Sequence, residues 1–253
     1  MNKDTTRQIT NILAIVLALA VNILATTLPL NNQSTAEISD RFLVYFVPAG
    51  YVFSIWGIIY LGWIAFAIYQ AQPAQKENPR LRNLGYLFAL SCLFNAAWLF
   101  CWHYNLFGLS VLVMLTLLSL LIASYLKLNV GKTSVSNIEK WSVDIPFSIY
   151  LGWITVATVA NVTDYLYLLN WNGFGLAPQV WAVIMLIIAS ALGFVMTFTR
   201  RDSGYVFVLA WSFAGIAVKQ ANESLVANTA WVVAVIMLGL AIYSIVQRRQ
   251  MKK

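Results

Sequence analysis

The chain has 253 residues, 60% of them hydrophobic and 10% charged, with a mean hydropathy of +0.74 and a formal charge of +7. A soluble domain carries about 25% charged residues, so this chain has too little polar surface to cover a globule. A cytosolic enzyme, a nucleic-acid binder and a secreted disulfide scaffold are excluded; an all-α polytopic protein in contact with the lipid bilayer is predicted.

Apolar runs long enough to cross a bilayer core about 30 Å thick mark eight spans: Ile9–Leu30, Tyr51–Tyr69, Leu84–Trp102, Leu106–Leu126, Val143–Asn161, Val180–Phe198, Tyr205–Val218 and Ala227–Val246. The first follows Lys3 and Arg7 as a signal peptide would. Its run exceeds a signal peptide's apolar region and no A-x-A site closes it, so it reads as a retained helix. The seventh is short and either stands upright or extends past these limits. With the N-terminus inside, the inner segments hold fourteen of the sixteen Lys and Arg, and the outer ones only Arg41 and Lys219. The positive-inside rule then puts both N- and C-termini in the cytoplasm of a multi-pass integral membrane protein, and the excess charge reflects insertion rather than an anionic ligand.

Between the first two spans, about 20 outer-facing residues, Asn31 to Gly50, are long enough to be a lid. Pro48 and Gly50 turn the chain into the second span. There Trp56 and Tyr60 lie four residues apart on one face. The third span carries Asn95 and Trp98 on one face, and the fifth carries Tyr150, Trp153 and Asn161. At 1.5 Å per residue, all of these but Tyr150 and the outer-boundary Asn161 fall roughly 5–15 Å below the outer helix ends. They could line one pocket if the second, third and fifth helices face each other. An interfacial tryptophan belt with amides bonding across helices would give the same residues. For Trp63, Trp102, Trp141 and Trp171 the belt is favoured.

Cys92 and Cys101, nine residues apart on one helix, are about 13 Å apart and do not form a disulfide. The single histidine, His103, stands in Trp102-His103-Tyr104 at a helix end and reads as interfacial and water-facing. With so few soft ligands no metal site is assigned. Asp144 lies within a turn of the inner end of the fifth span and Asp164 just past its outer end, so no ionisable residue marks an ion pathway at depth. Gly50-Tyr51-Val52-Phe53 recurs at Gly204-Tyr205-Val206-Phe207, but roughly one such coincidence is expected by chance in a chain this biased. No hydrolase, kinase or P-loop signature appears, so no catalytic residue is assigned and a binding protein is favoured over an enzyme.

These residues resemble the TspO/MBR family, the translocator or tryptophan-rich sensory proteins. The family's P-P-G-W-V-F segment followed by Trp and Tyr is similar to Pro48-Ala49-Gly50-Tyr51-Val52-Phe53 with Trp56 and Tyr60. Its L-N-x-x-W resembles Phe94-Asn95-Ala96-Ala97-Trp98. Its P-Y-L-A-W with an Asn eight residues beyond the Trp resembles Ile149-Tyr150-Leu151-Gly152-Trp153 with Asn161. The chain departs from the pattern in a Phe53-to-Trp56 gap one residue shorter, in Ile149 for proline and in Ser91 where glutamine is common.

The resemblance covers residues 1 to about 165 and implies a five-helix core, 1–165, with 166–253 as a three-helix extension. It implies binding of an apolar planar ligand, such as a porphyrin, by Trp56, Tyr60, Asn95, Trp98, Tyr150, Trp153 and Asn161, with Pro48 and Gly50 at the lid. No cofactor is required; a porphyrin or haem-type molecule would enter as ligand. A cholesterol-type pattern at Leu121, Tyr125 and Lys127 is too loose to assign a sterol. Two alternatives stay open: a small-molecule or lipid transporter using all eight helices, and a membrane enzyme slowly converting a bound tetrapyrrole. So do a monomer and a homodimer.

Overall fold

A computed structural model describes residues 2–28 and 30–250, with side chains to Gln247. Among the described residues the regular structure is helical, and eight long helices dominate: α1 (Lys3–Thr27), α2 (Ile55–Ala71), α3 (Leu87–His103), α4 (Phe107–Lys127), α5 (Ile145–Leu168), α6 (Pro178–Arg200), α7 (Ser203–Lys219) and α8 (Ser224–Gln250). Six helical stretches have the length and hydropathy to cross a membrane; α3 and α7 are apolar but 17 residues long. The chain is therefore an all-α polytopic membrane protein. The backbone has to be satisfied within each span because lipid offers no hydrogen bonds, which is why apolar runs become helices here.

Local chemistry sets the ends. The Asn2 side chain accepts from the Asp4 amide at the start of α1, and the Asp202 side chain accepts from that of Tyr205 at the start of α7. Asn105, Asn129 and Asn170 sit just beyond α3, α4 and α5 with φ of 60°, 50° and 51°. Asparagine tolerates that left-handed turn better than most residues. The eight expected spans all fall on these helices, with ends shifted by a few residues. The first helix stops at Thr27, the second starts at Ile55 rather than Tyr51, the third at Leu87 rather than Leu84, and the helix of the fifth span runs to Leu168 rather than Asn161. Asp164 consequently lies inside α5, not beyond it.

Helices α1 to α5 close into a ring in the order α1–α2–α5–α4–α3. On the outside of α5 packs α7, flanked by α6 and α8. Covered on several sides, the α5 span is 67% buried, against 28–33% for the other five long spans. Gly152 makes the α5–α7 crossing close: a Cβ there would stand 3.1 Å from the Tyr205 carbonyl oxygen and from Val208 Cβ. The junction is also tied at one end of the bundle. Asp202, 2% exposed, accepts from Tyr125 Oη on α4 and Ser148 Oγ on α5, both at 2.6 Å. Tyr125 therefore faces protein rather than lipid, which removes it from any cholesterol-type surface motif.

The same end gathers the basic residues. Arg7 donates to the Lys76 carbonyl at 2.8 Å, Arg80 pairs with Asp144 at 2.7 Å and donates to the Leu128 carbonyl, and Arg200 donates to the Val130 carbonyl. Arg41 and Lys219 lie at the opposite end, bound to Asn105 and Asp40. Lys252 and Lys253 lie outside the described residues, as do the side chains of Arg248 and Arg249.

Both cysteines are free, as their spacing implies, and both are buried. Three surface assignments are corrected. His103 is 0% exposed, its Nδ1 bonded to the Leu99 carbonyl oxygen at 2.8 Å, because the segment after α1 folds back over the end of α3. Trp63 and Trp102 are likewise core residues, 1% and 3% exposed, while Trp141 and Trp171 remain exposed.

Candidate functional site

Between α1 and α2 the chain forms a cap over the end of the ring. A short helix, Thr35–Asp40, opens with Ser34 accepting from the Glu37 amide while Glu37 accepts from the Ser34 amide. That amide, with the Ser34 hydroxyl, holds the Glu37 carboxyl below the usual carboxylate range. The 20-residue stretch is thus partly regular rather than a plain loop. It is fastened to α3 on one side: Asn31 donates to the His103 carbonyl at 3.0 Å and Trp102 Nε1 to the Thr35 carbonyl at 3.3 Å. On the other side it is fastened to α7. The Ala49 amide donates to the Gly215 carbonyl at 3.1 Å, Trp211 Nε1 to the Val52 carbonyl at 3.3 Å, and Lys219 pairs with Asp40.

Beneath this cap is a cavity of about 30 Å³, room for about one water. Of the residues singled out in the sequence, Pro48, Trp56, Trp98, Trp153 and Asn161 line it. Trp98 donates from Nε1 to Asn161 Oδ1 at 3.0 Å, and Asn161 donates to Ser110 Oγ at 2.9 Å, so one tryptophan is fixed by the amide eight residues beyond the other. Trp56 and Trp153 meet edge to face at 6.3 Å, and Phe53 meets Trp153 at 5.5 Å. Trp153 Nε1 is buried without a hydrogen-bond partner on the protein.

Tyr60, Asn95 and Tyr150 do not line this cavity; they form a packed layer beside it. Tyr60 stacks on Trp56 at 5.7 Å and donates to Asn22 Oδ1 at 2.9 Å, while Asn22 donates to Asn95 Oδ1 at 2.7 Å. Tyr150 contacts the edge of Trp63 at 5.1 Å and is 1% exposed. Gly50 is exposed at the start of a 3-10 turn, Gly50–Ser54, that leads into α2, and is not part of the lining.

Sequence reasoning passed over several contributors. Trp102 stacks on Trp98 at 5.6 Å and 21°, the same-face neighbour one turn on. Asp164, three residues beyond Asn161 and on its face, also lines the cavity, as do Thr35 and Ser39 of the cap. The signal was present in the i, i+3 and i, i+4 spacings. Asn22, an amide deep within an apolar span, was an equally legible signal. Among the described residues no group of three or more His, Cys, Asp and Glu side chains is placed to hold a metal ion.

A second, larger cavity of about 420 Å³ lies where α5, the start of α6 and the cap segment 43–46 meet. Its lining is mainly apolar and includes Tyr45, Tyr167, Trp171, Trp181 and Met185. Gln179 reaches from α6 to donate to Tyr45 Oη at 3.1 Å, bridging the cap and the three-helix group.

Comparison with known families finds a match to the one described as TSPO-like protein over residues 8–243, which takes in residues from all eight helices. No curated protein and no solved structure matches the chain.

Proposed function

The chain belongs to the TSPO-like protein family, and on that premise we propose that it is an integral membrane binding or sensory protein for a hydrophobic planar ligand of porphyrin type. The observation that carries the reading is the meeting of Trp56, Trp98, Trp153 and Asn161 from α2, α3 and α5 around one cavity under a cap that Pro48 closes. At about 30 Å³ the closed cavity is far below the several hundred Å³ of a ligand pocket. Admission of a tetrapyrrole requires the cap to swing out, breaking hydrogen bonds worth about 1 kcal/mol each. Against lipid, which is already apolar, burying a flat ring gains little, so selectivity falls to ring shape and to the few polar atoms.

The test is tryptophan quenching of the detergent-purified protein, in the dark, by protoporphyrin IX and its neutral dimethyl ester. A Trp98→Phe/Trp153→Phe double variant runs beside it. Saturable binding of the ester that weakens at least about fivefold in the variant supports the site; binding indifferent to both changes overturns it.

The same proposal includes the division into a ligand-binding core, 1–165, and a three-helix extension, 166–253, and a topology with both termini cytoplasmic. A transporter using all eight helices is favoured by one observation, the 420 Å³ cavity between α5, α6 and the cap. It predicts ligand uptake into proteoliposomes.

A further inference from the structure

Among the described residues lining the aromatic cavity, Asp164 is the one ionisable side chain. It is 1% exposed, and its Oδ1 has no hydrogen-bond partner on the protein. Lys219, a lysine at the same end, is engaged with Asp40 of the cap. Among the described residues at this end of the molecule, Glu37, Asp40 and Glu223 stand with Arg41 and Lys219, three further acidic side chains to two cations in a chain that is +7 as a whole.

A carboxyl group buried without a partner keeps its proton until a counter-charge arrives, and inside a membrane such a residue generally marks a ligand or ion site. A ligand carboxylate would bring it no such counter-charge. A ligand ammonium would pair with Asp164 and sit against ring faces, which attract cations within about 6 Å. Trp98, Trp102 and Trp153 line the same cavity and would supply those rings.

We infer that this cavity selects cationic ligands, an aromatic or alicyclic ammonium whose positive charge pairs with Asp164 between the rings of Trp98, Trp102 and Trp153. The inference rests on the reading of the cavity as the ligand site and adds a charge preference to it: the propionates of a free porphyrin are disfavoured relative to its neutral ester, and a cation is favoured over both.

The probes are benzyltrimethylammonium and phenylmethanesulfonate, an aromatic cation and anion of similar size. Each is titrated into the full-length protein in a neutral detergent by calorimetry and by displacement of protoporphyrin dimethyl ester. The ammonium is expected to bind and displace the ester, and the sulfonate is not. Asp164→Asn is expected to weaken the ammonium on the order of tenfold, and Asp164→Glu to restore most of it. Equal competition by the two ions, or ammonium binding unchanged in a monodisperse Asp164→Asn protein, overturns the inference. Should Asp164→Asn not fold, the wild-type comparison of the two ions decides alone. Failure of the ester to bind at all counts instead against the proposed function, so the two can fail separately.

Discussion

Asn22 stands within α1 with both ends of its amide engaged, accepting from Tyr60 on α2 and donating to Asn95 on α3. One side chain thereby joins three helices at a depth where neither lipid nor neighbouring apolar residues could replace the bonds. Measured side-chain hydrogen bonds between membrane helices average well under 2 kcal/mol. Asn22→Ala is accordingly expected to cost about 1 kcal/mol, seen as a lowered unfolding midpoint in detergent. An unchanged midpoint would mean that Tyr60 and Asn95 find other partners. Asn95, Trp98 and Trp153 were legible because an amide or indole in an apolar run stands out. His103 was misjudged for the converse reason: its helix-end position says water-facing, and only the cap folding over it makes it buried.

The cap depends on how closely one helix lets it approach. Gly215 of α7 faces Val52 and Pro48, and a Cβ at that position would collide with the Val52 side chain and stand 3.2 Å from Pro48 Cβ. The Gly215 carbonyl also receives the Ala49 amide, so displacing the cap would cost this bond as well. Gly215→Val should lift the cap from α7 and expose the exposed Arg41 segment further. Limited trypsin digestion in detergent reads this as faster cleavage after Arg41, with the rest of the chain as resistant as in the wild type. A cleavage rate unchanged by the substitution would mean that the fastenings to α3 suffice alone. Here the sequence located the lid and its Pro48 turn, but not what holds it down. Nothing in residues 31–50 reports that the anchor lies some 160 residues further on.

At the scale of the whole molecule, charge and architecture coincide. The loops that join at the Arg80–Asp144 end are those rich in Lys and Arg, and the cap occupies the opposite end. The proposed topology therefore puts the cap and cavity on the non-cytoplasmic side. Because Cys92 and Cys101 are buried, single cysteines can report it. Ser134→Cys in the α4–α5 loop and Ala221→Cys between α7 and α8 are both at exposed positions. A membrane-impermeant maleimide should label Ala221→Cys in intact cells and Ser134→Cys only after permeabilisation. The reverse pattern would invert the topology while leaving the fold untouched.

By itself the sequence determined the all-α membrane class, the eight spans and the separation of basic from non-basic ends, since each follows from hydropathy or charge counted along one dimension. It also singled out some of the side chains that meet at the cavity, because polar and indole groups stand out in apolar runs. Only the tertiary structure decided which of them meet. A helix such as α2 is apolar nearly all round, and lipid is as apolar as a protein interior, so composition does not say which face turns inward. That choice separated Trp56, Trp98, Trp153 and Asn161 at the cavity from Tyr60, Asn95 and Tyr150 beside it. It brought α7 onto α5 and under the cap, and it left Asp164 buried at the cavity that the tryptophans line, because side-chain packing between helices fixes their rotation where hydrophobicity does not.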